Sequence, residues 1–145
     1  MTMAENTKSS QNRRSAAEGA LFPDALTGKS VLLIEDEYLV GLDMAQTIET
    51  WGMIVSGPIQ TLNEAEEAAE AEEWDCAVLD VRLDKGETFD IARKLRKRGV
   101  MVVFVTAYSG DTNHFASDLA SIPRLGKPVP YATLRRLLLE AMRDS

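Results

Sequence analysis

Five short apolar runs, each followed by a stretch with helical spacing, constrain this chain more than any other feature. Val31-Leu32-Leu33-Ile34 is continuous rather than alternating, which suits a strand covered on both faces, as in a parallel sheet. Leu39, Leu42, Ala45, Ile48 and Trp51 then recur at helical intervals, and Gly52 supplies a stop. Met53-Ile54-Val55 reads as the second strand. Thr61 and Glu64 form a capping box opening an Ala/Glu-rich helix with Ala65, Ala68 and Ala69 as small packing residues. Cys76-Ala77-Val78-Leu79 is the third strand, ending at Asp80, and its helix runs through Phe89, Ile91, Ala92 and Leu95 to a close near Gly99. Met101 to Val105 is the fourth strand, ending at Thr106, followed by a poor helix over 111–120 weakened by Asp, Thr, Asn and Ser. Ile122 to Leu125 is a short fifth strand carrying Pro123, and Tyr131 to Met142 is a strong final helix. Five such units imply right-handed crossovers and an α/β fold, a doubly wound five-stranded parallel sheet with helices on both faces.

The chain of 145 residues is one domain's length. Residues 1–28 are polar, mixed in charge and without apolar period, and read as a flexible N-terminal arm whose Leu21, Phe22 and Leu26 can pack locally; the domain proper is 29–145. A single cysteine excludes an internal disulfide and suits a reducing compartment. No apolar run approaches the ~20 residues needed to cross a bilayer, and the N-terminus lacks a secretory apolar segment, so a cytoplasmic protein without membrane insertion is expected. A net charge of -7 argues against nucleic acid as a partner. The acidic run from Glu64 to Asp75 and the basic run Arg93, Lys94, Arg96, Lys97, Arg98 read most simply as solvated helix faces.

In a doubly wound sheet, ligands bind beyond the carboxyl ends of the strands. Those ends deliver Glu35 and Asp36, then Asp80, then Thr106, then Lys127-Pro128. Taken singly, each has a plain reading: an acidic pair at a helix N-terminus, an Asp or Thr cap, a lysine before a proline. Taken together they put three carboxylates, a hydroxyl and an ammonium on one edge. Such carboxylates repel one another unless a cation lies among them, and Mg²⁺ is the usual hard cation for carboxylates plus phosphate oxygens. A carboxylate can also attack phosphorus and form an acyl phosphate, with Lys and Thr meeting the charge on the phosphoryl oxygens.

Val31–Glu37, Asp75–Leu83, Phe104–Tyr108 and Gly126-Lys127-Pro128 resemble the response-regulator receiver family (CheY-like), over about residues 29–145. The resemblance implies a flavodoxin-like sheet of order 2-1-3-4-5. It implies phosphoryl transfer from a sensor histidine kinase to Asp80, with Asp36 a direct Mg²⁺ ligand and Glu35 holding the metal through water. The backbone carbonyl of Arg82 would complete the protein ligands, Lys127 would pair with the phosphoryl group, and Thr106 would move to hydrogen-bond it. The Lys127–Pro128 bond is expected to be cis. Two positions depart from the family: Asp84 stands where a proline is common, and Arg124 where an aromatic switch residue is usual. Phe104-Val105-Thr106-Ala107-Tyr108 without that aromatic resembles the FAT-GUY subgroup, and the small Ala107 leaves room for the phosphodonor. Arg82 and Tyr108, each two residues beyond a site residue, are candidates to cover the acyl phosphate against water.

The function so implied is a single-domain response regulator, since the sequence ends shortly after the final helix. It would signal through a downstream target protein or act as a phosphate sink, and catalyse only its own phosphoryl transfer and dephosphorylation. The alternatives are a receiver-like scaffold that is never phosphorylated, and a Mg²⁺ phosphatase of the haloacid dehalogenase type. Arg82, where those phosphatases carry a second acid, argues against the latter. Gly28-Lys29-Ser30 imitates the end of a P-loop but precedes a strand, with Pro23 in place of the first glycine. His114 reads as an exposed or capping residue, Cys76 as inert core, Trp51 and Trp74 as helix-end packing.

Overall fold

The computed structural model describes residues 23–107 and 115–144. Strand β1 (Ser30–Ile34) leads to helix α1 (Tyr38–Glu49), β2 (Ile54–Ile59) to α2 (Leu62–Ala71), and β3 (Cys76–Asp80) to a small hairpin, β4 (Arg82–Leu83) and β5 (Gly86–Glu87). Then come α3 (Phe89–Lys97), β6 (Met101–Thr106), a 3₁₀ turn (Ser117–Leu119), β7 (Arg124–Gly126) and α4 (Tyr131–Arg143). The main sheet has the order β2-β1-β3-β6-β7, with every pairing parallel. Counting only its five strands, this is the expected 2-1-3-4-5 order. Because side chains alternate along a strand, the apolar runs feed two cores. Leu33, Val78, Val103 and Val105 pack with α1 and α4 on one face, and Leu32, Leu79 and Phe104 pack with α2 and α3 on the other.

Several elements differ from their sequence patterns for identifiable reasons. β2 runs to Ile59, well past Val55, because a bulge sets Leu32 opposite Ser56 and Ile34 opposite Ile59, absorbing Gly57 and Pro58. β2 is an edge strand, where a proline's missing N–H costs no ladder bond. β7 starts at Arg124, not Ile122: Pro123 cannot donate, although its carbonyl accepts from the Phe104 N–H at 2.9 Å. Of the helix expected over 111–120, residues 115 onward form only the 3₁₀ turn, anchored by buried Leu119, while 111–114 lie outside the described residues. Most of the proposed arm also lies outside them. Its last residues, 23–28, are packed: Leu26 is fully buried, its N–H donates to Asp24 Oδ1 at 2.9 Å, and Arg135 pairs with Asp24 at 2.6 Å.

The basic run is exposed but not idle. Arg93 bridges Asp90 and Asp118 at 2.7 and 2.8 Å, and Lys94 reaches Glu70 of α2 at 3.0 Å. Arg98 donates to the carbonyls of Ala69 and Glu72, closing the C-terminus of α2. Exposed pairs of this kind add at most ~1 kcal/mol each, so they mainly fix how α3 sits on α2. No helix among the described residues is long and apolar enough to cross a membrane.

Gly41 marks where α1 comes closest to β2. A Cβ there would lie 2.4 Å from Pro58 Cβ and 2.8 Å from Pro58 Cγ, with Glu35 Cβ at 3.3 Å. Gly→Ala inside a helix ordinarily gains about 1 kcal/mol. At this position Gly41→Ala is expected to lose about 2 kcal/mol instead, since a rigid ring must be displaced. Urea denaturation decides between the two signs.

Candidate functional site

The carboxyl ends of β1, β3, β6 and β7 bring the expected residues to one edge of the sheet. Glu35 follows β1 and is fully buried; Asp80 ends β3 at 7% exposure and Thr106 ends β6 at 4%. Asp36 is half-buried at the rim. One oxygen from each of Glu35, Asp36 and Asp80 lies within 4.8 Å of the others. Lys127, just past β7, donates from Nζ to Glu35 Oε1 at 2.7 Å, to Oε2 at 3.0 Å and to Asp80 Oδ2 at 2.9 Å. Its own N–H donates to the Thr106 carbonyl at 2.9 Å, tying the ends of β6 and β7 together. The Lys127–Pro128 bond is cis, as is Gly57–Pro58.

The electrostatics follow from a shortage of positive charge. Three carboxylates face one ammonium, so full ionisation would leave two negative charges unmatched in a largely buried place. Burial and the neighbouring Asp80 raise Glu35 from 4.5 to about 8, with Lys127 opposing. Burial, then the Asp80 charge, raises Asp36 as well, with a smaller push from Asp84 on the hairpin. For Lys127, burial works against the charged form, but its bonds to Glu35 and Asp80 prevail and its pKa rises. At full ionisation the deficit equals the charge of one divalent cation, and hard carboxylate oxygens at this spacing with Asp36 half-buried at the rim suit Mg²⁺. Glu35, Asp36 and Asp80 are the side chains that could hold it. Arg82 opens β4 with an exposed side chain, and its N–H approaches Asp80 Oδ1 at 3.3 Å. Tyr108 and His114 lie outside the described residues.

Two neighbours escaped the sequence reading. Gln60 Nε2 donates to the Asp36 carbonyl at 3.1 Å across 24 residues. The buried Thr88 hydroxyl donates to the Asp80 carbonyl at 2.7 Å. Arg124 fills the place of the usual aromatic by stacking its guanidinium 4.2 Å above the Phe115 ring. Phe115 in turn packs against Phe89 and Phe104. Buried Nη1 of Arg124 has no hydrogen-bond partner among the described residues.

The model of the response regulator receiver domain matches residues 31–138. The chain belongs to the response regulator receiver family. Among curated proteins it is 31% identical over 113 residues to the transcriptional regulatory protein PdtaR of Mycobacterium tuberculosis, covering 77% of this chain and 55% of that protein. The chain thus spans about half the length of the curated relatives it matches. Among solved structures, SdrG from Sphingomonas melonis Fr1 is 28% identical with a TM-score of 0.66, covering 83% of this chain and 98% of SdrG. The receiver domain of the Pseudomonas aeruginosa PAO1 sensor histidine kinase PA1611 has a TM-score of 0.68 at 23% identity, covering 79% and 97%. That structure carries a magnesium ion coordinated in its active-site cleft. As a receiver domain, the chain is a signalling module of two-component systems, and its sheet has the flavodoxin-like arrangement of CheY-like proteins.

Proposed function

We propose that this receiver domain takes a phosphoryl group from a histidine kinase onto Asp80, with Mg²⁺ held by Glu35, Asp36, Asp80 and the Arg82 carbonyl. The observation that carries the reading is Lys127 bridging Glu35 and Asp80 inside a cluster of three carboxylates. Bound Mg²⁺ would offset the charge of the carboxylates and of the incoming phosphoryl oxygens. Asp80 attacks phosphorus through a carboxylate oxygen; an O–P bond forms, the N–P bond to the donor imidazole breaks, and the imidazole, protonated at its other ring nitrogen, leaves as a neutral base. Lys127 exchanges part of its contact with Asp80 for the phosphoryl oxygens. Thr106, one residue past the Val105 that faces Asp80 in the sheet, turns its hydroxyl toward the same group. The magnesium in the receiver domain of the P. aeruginosa kinase supports the same metal here.

Output through a downstream protein, or service as a phosphate sink, both follow from this chemistry, and a cytoplasmic location suits a kinase donor. The run Phe104–Tyr108 with Arg124 supports placement in the FAT-GUY subgroup. Incubation with acetyl phosphate tests the reading by intact-mass spectrometry. One phosphoryl group is expected per chain with Mg²⁺ and almost none with EDTA; uptake that is equal in both buffers counts against it.

A further inference from the structure

We propose that Thr88 is a positioning residue for Asp80, its hydroxyl fixing the end of β3 from which the carboxylate projects. The inference rests on the reading of Asp80 as phosphoryl acceptor. Thr88 is fully buried, and a buried hydroxyl needs a partner. Its Oγ1 lies 2.7 Å from the Asp80 carbonyl and 3.4 Å from that of Val81, while its N–H donates to the Val81 carbonyl at 3.0 Å. Thr88 also stands at the N-cap of α3, where a threonine oxygen ordinarily accepts from the first turn. No such cap bond forms here. The hydroxyl is turned away from its own helix and spent on the strand.

That strand end needs a tether. β3 pairs with β1 only as far as Leu79, so at Asp80 the ladder continues on the β6 flank alone, through Val105. The Thr88 hydroxyl adds a bond to the main-chain carbonyl at this point and also closes the segment holding the β4–β5 hairpin, whose Arg82 N–H meets Asp80 Oδ1. Lys127 and Arg82 thus orient the Asp80 carboxylate, and Thr88 holds the backbone about which it turns. Reaction rates depend steeply on such placement, with ~1 Å of misplacement able to cost ~10²-fold.

The test compares Thr88→Val, of equal shape but without the donor, with Thr88→Ser, which keeps it. Phosphorylation by acetyl phosphate with Mg²⁺ is followed against donor concentration. Thr88→Val is expected to lower the maximal rate roughly tenfold with little change in the half-saturating concentration, and Thr88→Ser to stay within about twofold of wild type. A wild-type rate in Thr88→Val overturns the inference, as does a Thr88→Ser rate as low as that of Thr88→Val, which would assign the effect to the methyl group. Should Thr88→Val not fold, Thr88→Ser and Thr88→Cys are compared: a slower cysteine variant supports the role, and equal rates overturn it. The two readings fail separately. Uptake unaffected in Asp80→Asn removes Asp80 as acceptor and this inference with it, whereas a wild-type rate in Thr88→Val beside an inert Asp80→Asn removes only the role of Thr88.

Discussion

Asp80→Asn is expected to take up no phosphoryl group from acetyl phosphate and yet to unfold at a higher temperature than wild type in Mg²⁺-free buffer. Both outcomes come from one change. The amide has almost the carboxylate's shape, and its oxygen can still accept from Lys127, so the packing at this 7%-exposed position is kept. It has no anionic oxygen with which to attack phosphorus. It also removes one of three carboxylates sharing a single ammonium. The charge on Asp80 contributes to raising both Glu35 and Asp36, so its loss lets both ionise more readily. Relief of like-charge repulsion at this range is worth about 1–2 kcal/mol, or a rise of roughly 5 °C in Tm. The pH dependence has a definite sign. Glu35 is raised in the fold, from 4.5 to about 8, so its contribution to stability is full at acid pH and is lost as pH climbs through that interval. Asp80→Asn flattens this decline. Calorimetry across that interval with EDTA checks the stability, and intact mass checks the chemistry; a variant that is less stable and still phosphorylated contradicts both.

Gly57→Ala is expected to cost about 4 kcal/mol of stability, enough to leave a marginal domain largely unfolded. Gly57 lies in the β2 bulge at φ +132°, and a Cβ there would sit 2.3 Å from the Leu33 carbonyl oxygen and 3.0 Å from the Ile59 nitrogen. Both are backbone atoms of paired strands. A flexible side chain could yield; the carbonyl of a central strand buried on both faces cannot move without dragging its neighbours. The damage also points at the site, because the bulge ends with the backbone N–H of Glu35 donating to the Ile59 carbonyl at 2.9 Å. Urea unfolding should show a large drop in midpoint with unchanged slope. A loss under about 1 kcal/mol would mean that the bulge relaxes freely.

The site was legible in the sequence because buried parallel strands read as unbroken apolar runs, and polar residues at their ends stand out against them. Glu35, Asp80, Thr106 and Lys127 are each the first polar residue after such a run or its turn. The fold followed from the same pattern, since βαβ repetition admits few topologies. What stayed hidden is equally physical. The outer half of β2 carries Gly57 and Pro58, which locally spell a break, and only the edge position makes them tolerable. The β4–β5 hairpin is two residues per strand, too short for any period. Thr88 looks like an ordinary helix cap, because a hydroxyl bond to a carbonyl eight residues away leaves no local trace. Arg93, Lys94 and Arg98 look like a solvated face because their partners Asp118, Glu70 and Ala69 are 24 to 29 residues distant. Arg124 was visible as a departure from the family, but its seat on Phe115 depends on tertiary packing.

The phosphoryl group is expected to reside on the side chain of Asp80. An acyl phosphate is reduced by borohydride, which converts aspartate to homoserine at the modified position, whereas phosphate on serine, threonine or histidine leaves no such mark. Wild-type protein treated with acetyl phosphate and Mg²⁺, reduced and digested, should yield homoserine at position 80 alone, and none when Mg²⁺ is withheld. Homoserine at position 36, or phosphate carried on a hydroxyl or on His114 with Asp80 intact, would contradict it.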